Sequence, residues 1–295
     1  MSDFTLVATD LDGTLIDPQG RISDFTRETL RAIEESGRLL VFVTGRPPRW
    51  MGPIVEETGH RGIAICANGA VVMDLHTEHI DVAHVMDERE ALEITRRIRE
   101  LLPTVGFAVE RVGVNRRADV EFGREPHYIP RWPTPDNPPL APIDELVVGG
   151  GLIKILARVP QEFEPPGDPH ALGPDPTRGF DAAPLVDEFL ASAQEILEGL
   201  ATVTHSNPND TLLEISAPGI TKATALADFA AERGISAGQV IAFGDQPNDL
   251  PMLAWAGRAI AVENAHPAVL GAVAERAGSV HADGVAHALR AILSL

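Results

Sequence analysis

Two aspartates near the amino terminus, Asp10 and Asp12, have a type and spacing that could do chemistry. They follow a short apolar run that begins at Leu6 and precede Gly13, and such a run is typical of a buried strand in a parallel sheet. Residues two apart on a strand point the same way, so both carboxylates can project from the carboxyl end, where open α/β sheets bind ligands. Paired carboxylates repel each other and need a cation, a shared proton or water. A strand followed by an ordinary Asp-Gly turn is the alternative for this stretch alone.

A second polar turn follows the apolar strand predicted at 39–43. It consists of Thr44, Gly45 and Arg46. A threonine hydroxyl and backbone N–H groups in such a turn suit a phosphate oxygen. On its own the tripeptide is also compatible with a plain strand-to-helix turn.

Two further candidate groups lie late in the chain. Lys222 lies in the first turn of a predicted helix, where it opposes the helix dipole, so either an anionic partner or a solvated surface position is expected. Asp245 follows the strand predicted at 240–243, with Asn248 and Asp249 within one turn. Carboxylates at several strand ends suit a hard cation with oxygen ligands, and Mg²⁺ is favoured because it accepts few carboxylates together with waters and phosphate.

In this order, the four segments resemble the motifs of the haloacid dehalogenase superfamily of phosphatases, in particular its Cof-type branch. The resemblance implies an α/β fold, with a doubly wound, mostly parallel (Rossmann-like) sheet as core and an inserted α+β cap domain. The core would comprise residues 1–80 and 216–295, and the cap residues 81–215. An Asn-Gly-Ala segment similar to that of the Cof-type branch makes Asn68 either a substrate contact or a turn residue.

The resemblance also implies roles for these residues. Asp10 would attack the substrate phosphorus, and Asp12 would protonate the leaving oxygen and then activate water. Mg²⁺ would be held by the Asp10 side chain, the Asp12 backbone carbonyl and Asp245, with Asp249 close by. The groups expected to hold the phosphoryl oxygens are Thr44, Gly45, Arg46, Lys222 and Asn248.

The sequence departs from the Cof-type pattern at two positions near these motifs. Ala223 and Glu263 stand where that pattern usually has glycine, and the added carboxylate could lower the affinity for highly anionic substrates. Substrate choice is expected to depend on the cap, in which basic residues could meet an anionic group of the substrate. These residues are Arg111, Arg116, Arg117, Arg124, Arg131 and Lys154.

Composition limits the remaining possibilities. The 295 residues are 44% hydrophobic and 23% charged, as in ordinary globular proteins, and the formal net charge is −19. Such acidity disfavours binding to nucleic acid or to an anionic membrane surface. The single cysteine, Cys66, lies in an apolar run and is expected to be a buried, inert thiol. Because the sequence has neither the pattern of a signal peptide nor an apolar run long enough to span a membrane, a cytoplasmic protein is expected. It is expected to be a monomer or a homodimer.

The function predicted from these observations is a Mg²⁺-dependent phosphatase. It would hydrolyse a small phosphorylated metabolite, such as a sugar phosphate, a phosphoglycerate-type ester or a phosphorylated cofactor. Two alternatives remain at this point: a phosphomutase on the same core, and a non-catalytic protein that binds a phosphorylated ligand.

Overall fold

The computed structural model describes residues 4–113, 115–117, 121–131, 134–159, 183–206 and 210–295, with the backbone alone at 183–186. The proline-rich stretch 160–184, expected to be irregular, falls almost wholly outside these ranges. None of the described helices combines the length and the apolar character that a membrane crossing needs.

Strands and helices alternate in the first part of the chain, as its periodic apolar pattern predicts. Their bounds are β1 (Leu6–Thr9), α1 (Asp24–Glu35), β2 (Leu39–Val43), α2 (Met51–Thr58), β3 (Ile63–Cys66), β4 (Val71–Asp74) and β5 (His79–Ala83). The middle part contains α3 (Glu88–Leu101), β6 (Gly106–Arg111), β7 (Glu121–Arg124), α4 (Ile143–Leu146), β8 (Leu152–Arg158), α5 (Ala183–Ile196), β9 (Thr202–Thr204) and β10 (Leu212–Ser216). The last part contains α6 (Lys222–Ala231), β11 (Val240–Gly244), α7 (Leu250–Trp255), β12 (Arg258–Val262), α8 (Pro267–Ala272), β13 (Glu275–Ala277) and α9 (Gly284–Leu293).

An eight-stranded sheet, in the order β13-β12-β11-β1-β2-β3-β4-β5, joins the first and last parts of the chain. Its first six strands in this order are parallel, and β4 and β5 are antiparallel. The adjacent strands β11, β1 and β2 carry three of the four polar motifs at their carboxyl ends. The predicted α/β fold with a mostly parallel central sheet is therefore confirmed.

A separate antiparallel sheet, in the order β7-β6-β8-β10-β9, is formed by the middle part of the chain. Helices α3 and α5 pack on one face through an apolar cluster that includes Ile94, Phe189 and Ile155. We call this middle part the cap. The partial alternation of apolar and polar residues along β8 predicts a strand with only one covered face. This prediction is wrong, because every residue of β8 is buried. Its second face packs toward the parallel sheet.

One short element differs from what the sequence predicts. The sequence predicts a helix over 266–277, but the chain leaves α8 at Ala272 and forms the strand β13 beside β12. Three residues are too few to show a strand period, so pairing with β12 decides the conformation. Strand β5 ends at Ala83 and is the outer strand of the eight-stranded sheet.

Candidate active site

The candidate site lies where the carboxyl ends of β1, β2 and β11 meet. The pairing of β1 with β11 continues past the strands, because the Asp10 N–H donates to the Phe243 carbonyl at 3.0 Å. On the other side, β1 pairs in parallel with β2, which brings the Thr44 turn beside Asp10. Open parallel sheets bind ligands at this edge.

Three buried carboxylates converge at this edge. Asp10, Asp245 and Asp249 each offer an oxygen atom, and these atoms all lie within 4.8 Å of one another. The Lys222 Nζ donates to Asp10 Oδ1 and to Asp249 Oδ1, both at 2.6 Å. Lys222 is itself buried at the start of α6, whose first turn is capped by Thr221. Lys222 thus pairs with two of the three carboxylates, and the cluster of three carboxylates and this lysine has an excess of negative charge.

Burial and the neighbouring charges change the pKa values of the groups in this cluster. Burial raises the pKa of Asp10 to about 7 although Lys222 opposes the rise, and Asp249 and Asp12 add to it. Burial together with Asp10 and Asp249 also raises the pKa of Asp245 well above its ordinary value. Burial acts to lower the pKa of Lys222, but the two carboxylates outweigh it and raise that pKa. An additional cation would stabilise the ionised form of both aspartates.

Asp249 differs from the other two carboxylates in how its oxygens are used. Its Oδ2 accepts from the backbone N–H groups of Asp245 and Gln246, each at 2.9 Å, while its Oδ1 accepts from Lys222. A Cβ atom built on Gly244 would lie 2.6 Å from the Asp249 Cβ, so a side chain at Gly244 would displace this carboxylate. Asp249 therefore shapes the Asp245 turn and fixes Lys222.

Asp245 is oriented by the loop that follows β1. The Thr14 hydroxyl donates to Asp245 Oδ1 at 2.9 Å, and the Gln246 side-chain amide donates to Oδ2 at 3.0 Å. Gly13, at φ +81°, would place a Cβ atom 2.7 Å from Asp245 Oδ2. The glycine of the first motif is thus required both by its backbone angle and by the close approach of Asp245.

Asp12 lies outside the buried cluster. Its carboxylate accepts a forked pair of hydrogen bonds from Arg46, with Nε to Oδ2 at 2.8 Å and Nη2 to Oδ1 at 2.6 Å. The Arg46 side chain is 8% exposed and the Asp12 side chain is 41% exposed, so a buried arginine holds a carboxylate that solvent can reach. Arg46 was predicted to contact phosphate, and the structure shows it on Asp12. Thr44 accepts from the Arg46 N–H at 3.1 Å.

A chain of polar side chains connects the Asp249 turn to the cap. The Asn248 amide donates to Asn68 Oδ1 at 3.1 Å, and the Asn68 amide donates to Glu214 Oε2 at 2.6 Å. Lys154 donates to Glu214 Oε1 at 3.1 Å and to the Gly45 carbonyl at 2.8 Å. The cap thus contacts the Thr44 turn directly, and Asn68 lies between core and cap.

Glu214 is not among the residues predicted from the sequence, and Lys154 is predicted only as one of several basic cap residues. A usable signal was present, because each is a charged residue flanked on both sides by apolar residues within a strand. The other predicted cap residues have different partners: Arg111 donates to the Val148 carbonyl, Arg124 donates to the Tyr128 carbonyl, and Arg117 pairs with Glu78.

Three remaining predictions concern residues near these motifs. Cys66 is fully buried, and burial raises the pKa of its thiol to about 12, so it stays protonated. The side chain of Glu263 is exposed. Its neighbour Asn264 donates to the Gly13 carbonyl at 2.7 Å and so supports the first motif.

Comparison with known proteins agrees with this arrangement. The family model of haloacid dehalogenase-like hydrolases matches residues 7–116 and 180–289, which together are most of the chain. The chain belongs to the haloacid dehalogenase-like hydrolases. The resemblance noted from the four motifs, including the assignment to the Cof-type branch, is thereby confirmed.

The alignments of this hydrolase with its relatives cover nearly its whole length. It is 26% identical to the 5-amino-6-(5-phospho-D-ribitylamino)uracil phosphatase YcsE of Bacillus subtilis, over 98% of this chain and 95% of the relative. It is 24% identical to the pyridoxal phosphate phosphatase YbhA of Escherichia coli K12, over 90% and 89%. A solved structure of a haloalkanoate-superfamily phosphatase from Bacteroides thetaiotaomicron aligns with a TM-score of 0.71 at 19% identity, covering 99% of this chain and 96% of that one. The hydrolase has the core-plus-cap fold and is a phosphoric monoester hydrolase, as predicted.

Proposed function

We propose that this hydrolase is a Mg²⁺-dependent phosphatase that cleaves a small phosphate monoester through an aspartyl-phosphate at Asp10. The observation that supports this proposal most strongly is the cluster of three buried carboxylates, Asp10, Asp245 and Asp249, two of which, Asp10 and Asp249, pair with Lys222. Relatives named as phosphatases of a ribitylaminouracil phosphate and of pyridoxal phosphate support a small phosphorylated metabolite as substrate. The limits of core and cap, 1–80, 81–215 and 216–295, belong to the same proposal.

The residues of the cluster fit Mg²⁺. They are hard oxygen donors and they are buried. Burial and neighbouring carboxylates raise the pKa values of Asp10 and Asp245, and a bound cation would oppose that rise. We expect the Asp10 and Asp245 carboxylates and the Asp12 backbone carbonyl to hold the ion, with Asp249 beside them. When bound, Mg²⁺ supplies charge neutralisation for the carboxylates and for the phosphoryl group.

The side chains then divide the work of phosphoryl transfer. The Asp10 carboxylate attacks phosphorus, forming an acyl phosphate as the ester oxygen departs. Asp12, held by Arg46, protonates that oxygen and then takes a proton from the water that attacks the acyl phosphate. Lys222 and the Thr44 hydroxyl, with Asn248, bind the phosphoryl oxygens. Such a reaction depends mainly on in-line placement and charge stabilisation, which this rigid strand-end site provides.

The function is tested by phosphate release from a panel of sugar phosphates, phosphoglycerates, nucleotides and p-nitrophenyl phosphate. We expect release with Mg²⁺ and none with a chelator, and restored release when Mg²⁺ is added back. Equal release in the presence of chelator would contradict the metal assignment. Binding of phosphorylated compounds without turnover would contradict the phosphatase and support a binding protein.

The stability of the protein without metal should fall as the pH rises through the acidic range. Because the pKa of Asp10 rises from 3.8 to about 7 on folding, the folded state retains a proton that the unfolded state has lost. The free energy of unfolding, measured with chelator, should therefore fall as the pH rises from about 4 to about 7. Mg²⁺ should raise the melting temperature more at the upper end of this range than at the lower. Asp10→Asn should reduce the pH slope, and an unchanged slope would contradict the assignment to Asp10.

Arg46→Lys should separate the two roles open to this residue. If Arg46 orients Asp12, the lysine variant loses the fork and kcat falls about 10-fold to 100-fold while KM changes little. The same substitution in an Asp12→Asn background should then have almost no further effect on kcat. A rise in KM with kcat preserved would instead place Arg46 on the phosphoryl group, as the sequence predicted.

A further inference from the structure

The face of the cap sheet that packs on the core carries a row of charged residues over the Thr44 turn. Glu110 on β6 lies directly opposite Lys154 on β8, and Glu214 on β10 lies opposite Leu156, two residues further along β8. All three charged residues of the row are buried. We call Glu110, Lys154 and Glu214 the charged row.

The charged row contacts the core at the loops that surround the phosphate site. Lys154 donates to the Gly45 carbonyl, and Glu214 accepts from Asn68, which in turn bonds Asn248 of the Asp249 turn. Arg49, which follows the Thr44 turn, donates to Glu110 at 2.9 Å. Because the row contacts the loops around the phosphate site, a substrate whose phosphoryl group is held by the core would extend toward it.

Lys154 of the charged row and Arg49 of the core each have a buried carboxylate partner. Lys154 pairs with Glu214, and Arg49 pairs with Glu110. Further along β8, Arg158 pairs with Asp210 at 2.8 Å. A carboxylate or second phosphate on the substrate would meet the two glutamates of the row while both nearby cations are already neutralised, and like charges in a desolvated contact are costly.

The same region has acceptors that lack donors. Glu110 Oε2 and Asn248 Oδ1 are buried and have no hydrogen-bond partner among the described residues. Buried acceptors without a donor are costly, and a hydroxyl group could donate to one of them while accepting from Lys154. The chemistry of the row therefore matches a neutral group with hydroxyls.

We propose that Lys154 and Glu214 determine specificity, selecting phosphate esters whose leaving group is uncharged and carries hydroxyls over those whose leaving group carries a second anion. The inference rests on the proposed phosphatase function. Lys154 supplies the donor for a substrate hydroxyl, and Glu214 cancels the charge that would otherwise attract a carboxylate or phosphate.

Matched ester pairs test this selection, because each pair differs mainly in the charge of the leaving group. The pairs are glycerol 3-phosphate with 3-phosphoglycerate, 2-hydroxyethyl phosphate with phosphoglycolate, and fructose 6-phosphate with fructose 1,6-bisphosphate. We expect kcat/KM of the native protein to favour the uncharged member in the best-used pair by about tenfold or more, the scale of one unfavourable charge contact.

Three variants separate charge from a merely structural role. Glu214→Gln leaves Lys154 unneutralised and should shift the kcat/KM ratio about tenfold toward the anionic ester. Lys154→Gln combined with Glu214→Gln restores neutrality and should return the ratio to within about threefold of the native value. Glu93→Gln, the same chemical change on the exposed side of α3, should leave the ratio unchanged.

The outcomes distinguish this inference from the function on which it rests. Equal losses on both members of a pair in Glu214→Gln, with folding verified by circular dichroism, would assign the row a structural role and overturn the inference. A native preference for the anionic member, or hydrolysis of p-nitrophenyl phosphate with neither member of any pair used, would overturn it while the phosphatase stands. Absence of hydrolysis of every ester would overturn both.

Discussion

Asp10→Asn is expected to abolish turnover, with kcat reduced about 10⁴-fold or more, because the amide cannot form the acyl phosphate. The substitution keeps the size of the side chain, and the Asp10 backbone N–H still bonds the Phe243 carbonyl, so the fold should be retained. The measurement is steady-state phosphate release on the best ester of the panel.

Asp24→Asn is a suitable control, because Asp24 is an exposed aspartate at the start of α1. It should turn over substrate like the native protein. Residual activity of Asp10→Asn within about tenfold of native would contradict the assignment of Asp10 as the nucleophile, because a variant that cannot form the acyl phosphate cannot keep such a rate.

Lys222→Met is expected to lower kcat/KM by about 10²-fold to 10³-fold, the usual cost of removing one donor to a developing charge in a buried site. Its effect on stability should be large as well. With chelator, the free energy of unfolding should fall by about 3 kcal/mol or more, because the buried carboxylates of Asp10 and Asp249 lose their shared cation.

Mg²⁺ gives this prediction a second readout. The ion should raise the melting temperature of Lys222→Met by more than it raises that of the native protein. In the variant the ion alone offsets the repulsion between the carboxylates, whereas in the native protein Lys222 already offsets part of it. A smaller Mg²⁺ effect in the variant would show that Lys222 is needed to form the metal site. Arg233→Met, which removes a partly exposed cation just after the end of α6, serves as the control for loss of one positive charge.

The core could be predicted from sequence because its elements and its chemistry use local signals. Buried parallel strands appear as short apolar runs, and the polar residues directly after them fall at one edge of the sheet whatever the details of packing. That rule brings Asp10, the Thr44 turn and Asp245 together before any coordinates are known. Residue type also predicts that Ser23 and Thr221 each precede the first turn of a helix, and both residues are observed at helix N-termini, where their side chains accept from backbone N–H groups.

The partners of these residues could not be predicted in the same way. The fork from Arg46 to Asp12 depends on side-chain directions at the ends of two strands, and a sequence pattern does not specify these. The contact of Glu214 with Asn68 joins residues 146 positions apart through the packing of the cap on the core. The strand β13 was missed because three residues carry no period.

The most direct test of the account is to trap the intermediate at Asp10. The protein is quenched with acid during turnover of its best ester with Mg²⁺, the acyl phosphate is reduced with borohydride, and peptides are analysed by mass spectrometry. We predict reduction of residue 10 to homoserine only in samples quenched during turnover, with none in chelator controls. Turnover without homoserine at residue 10, or with homoserine at another aspartate such as Asp12, would contradict an aspartyl-phosphate at Asp10.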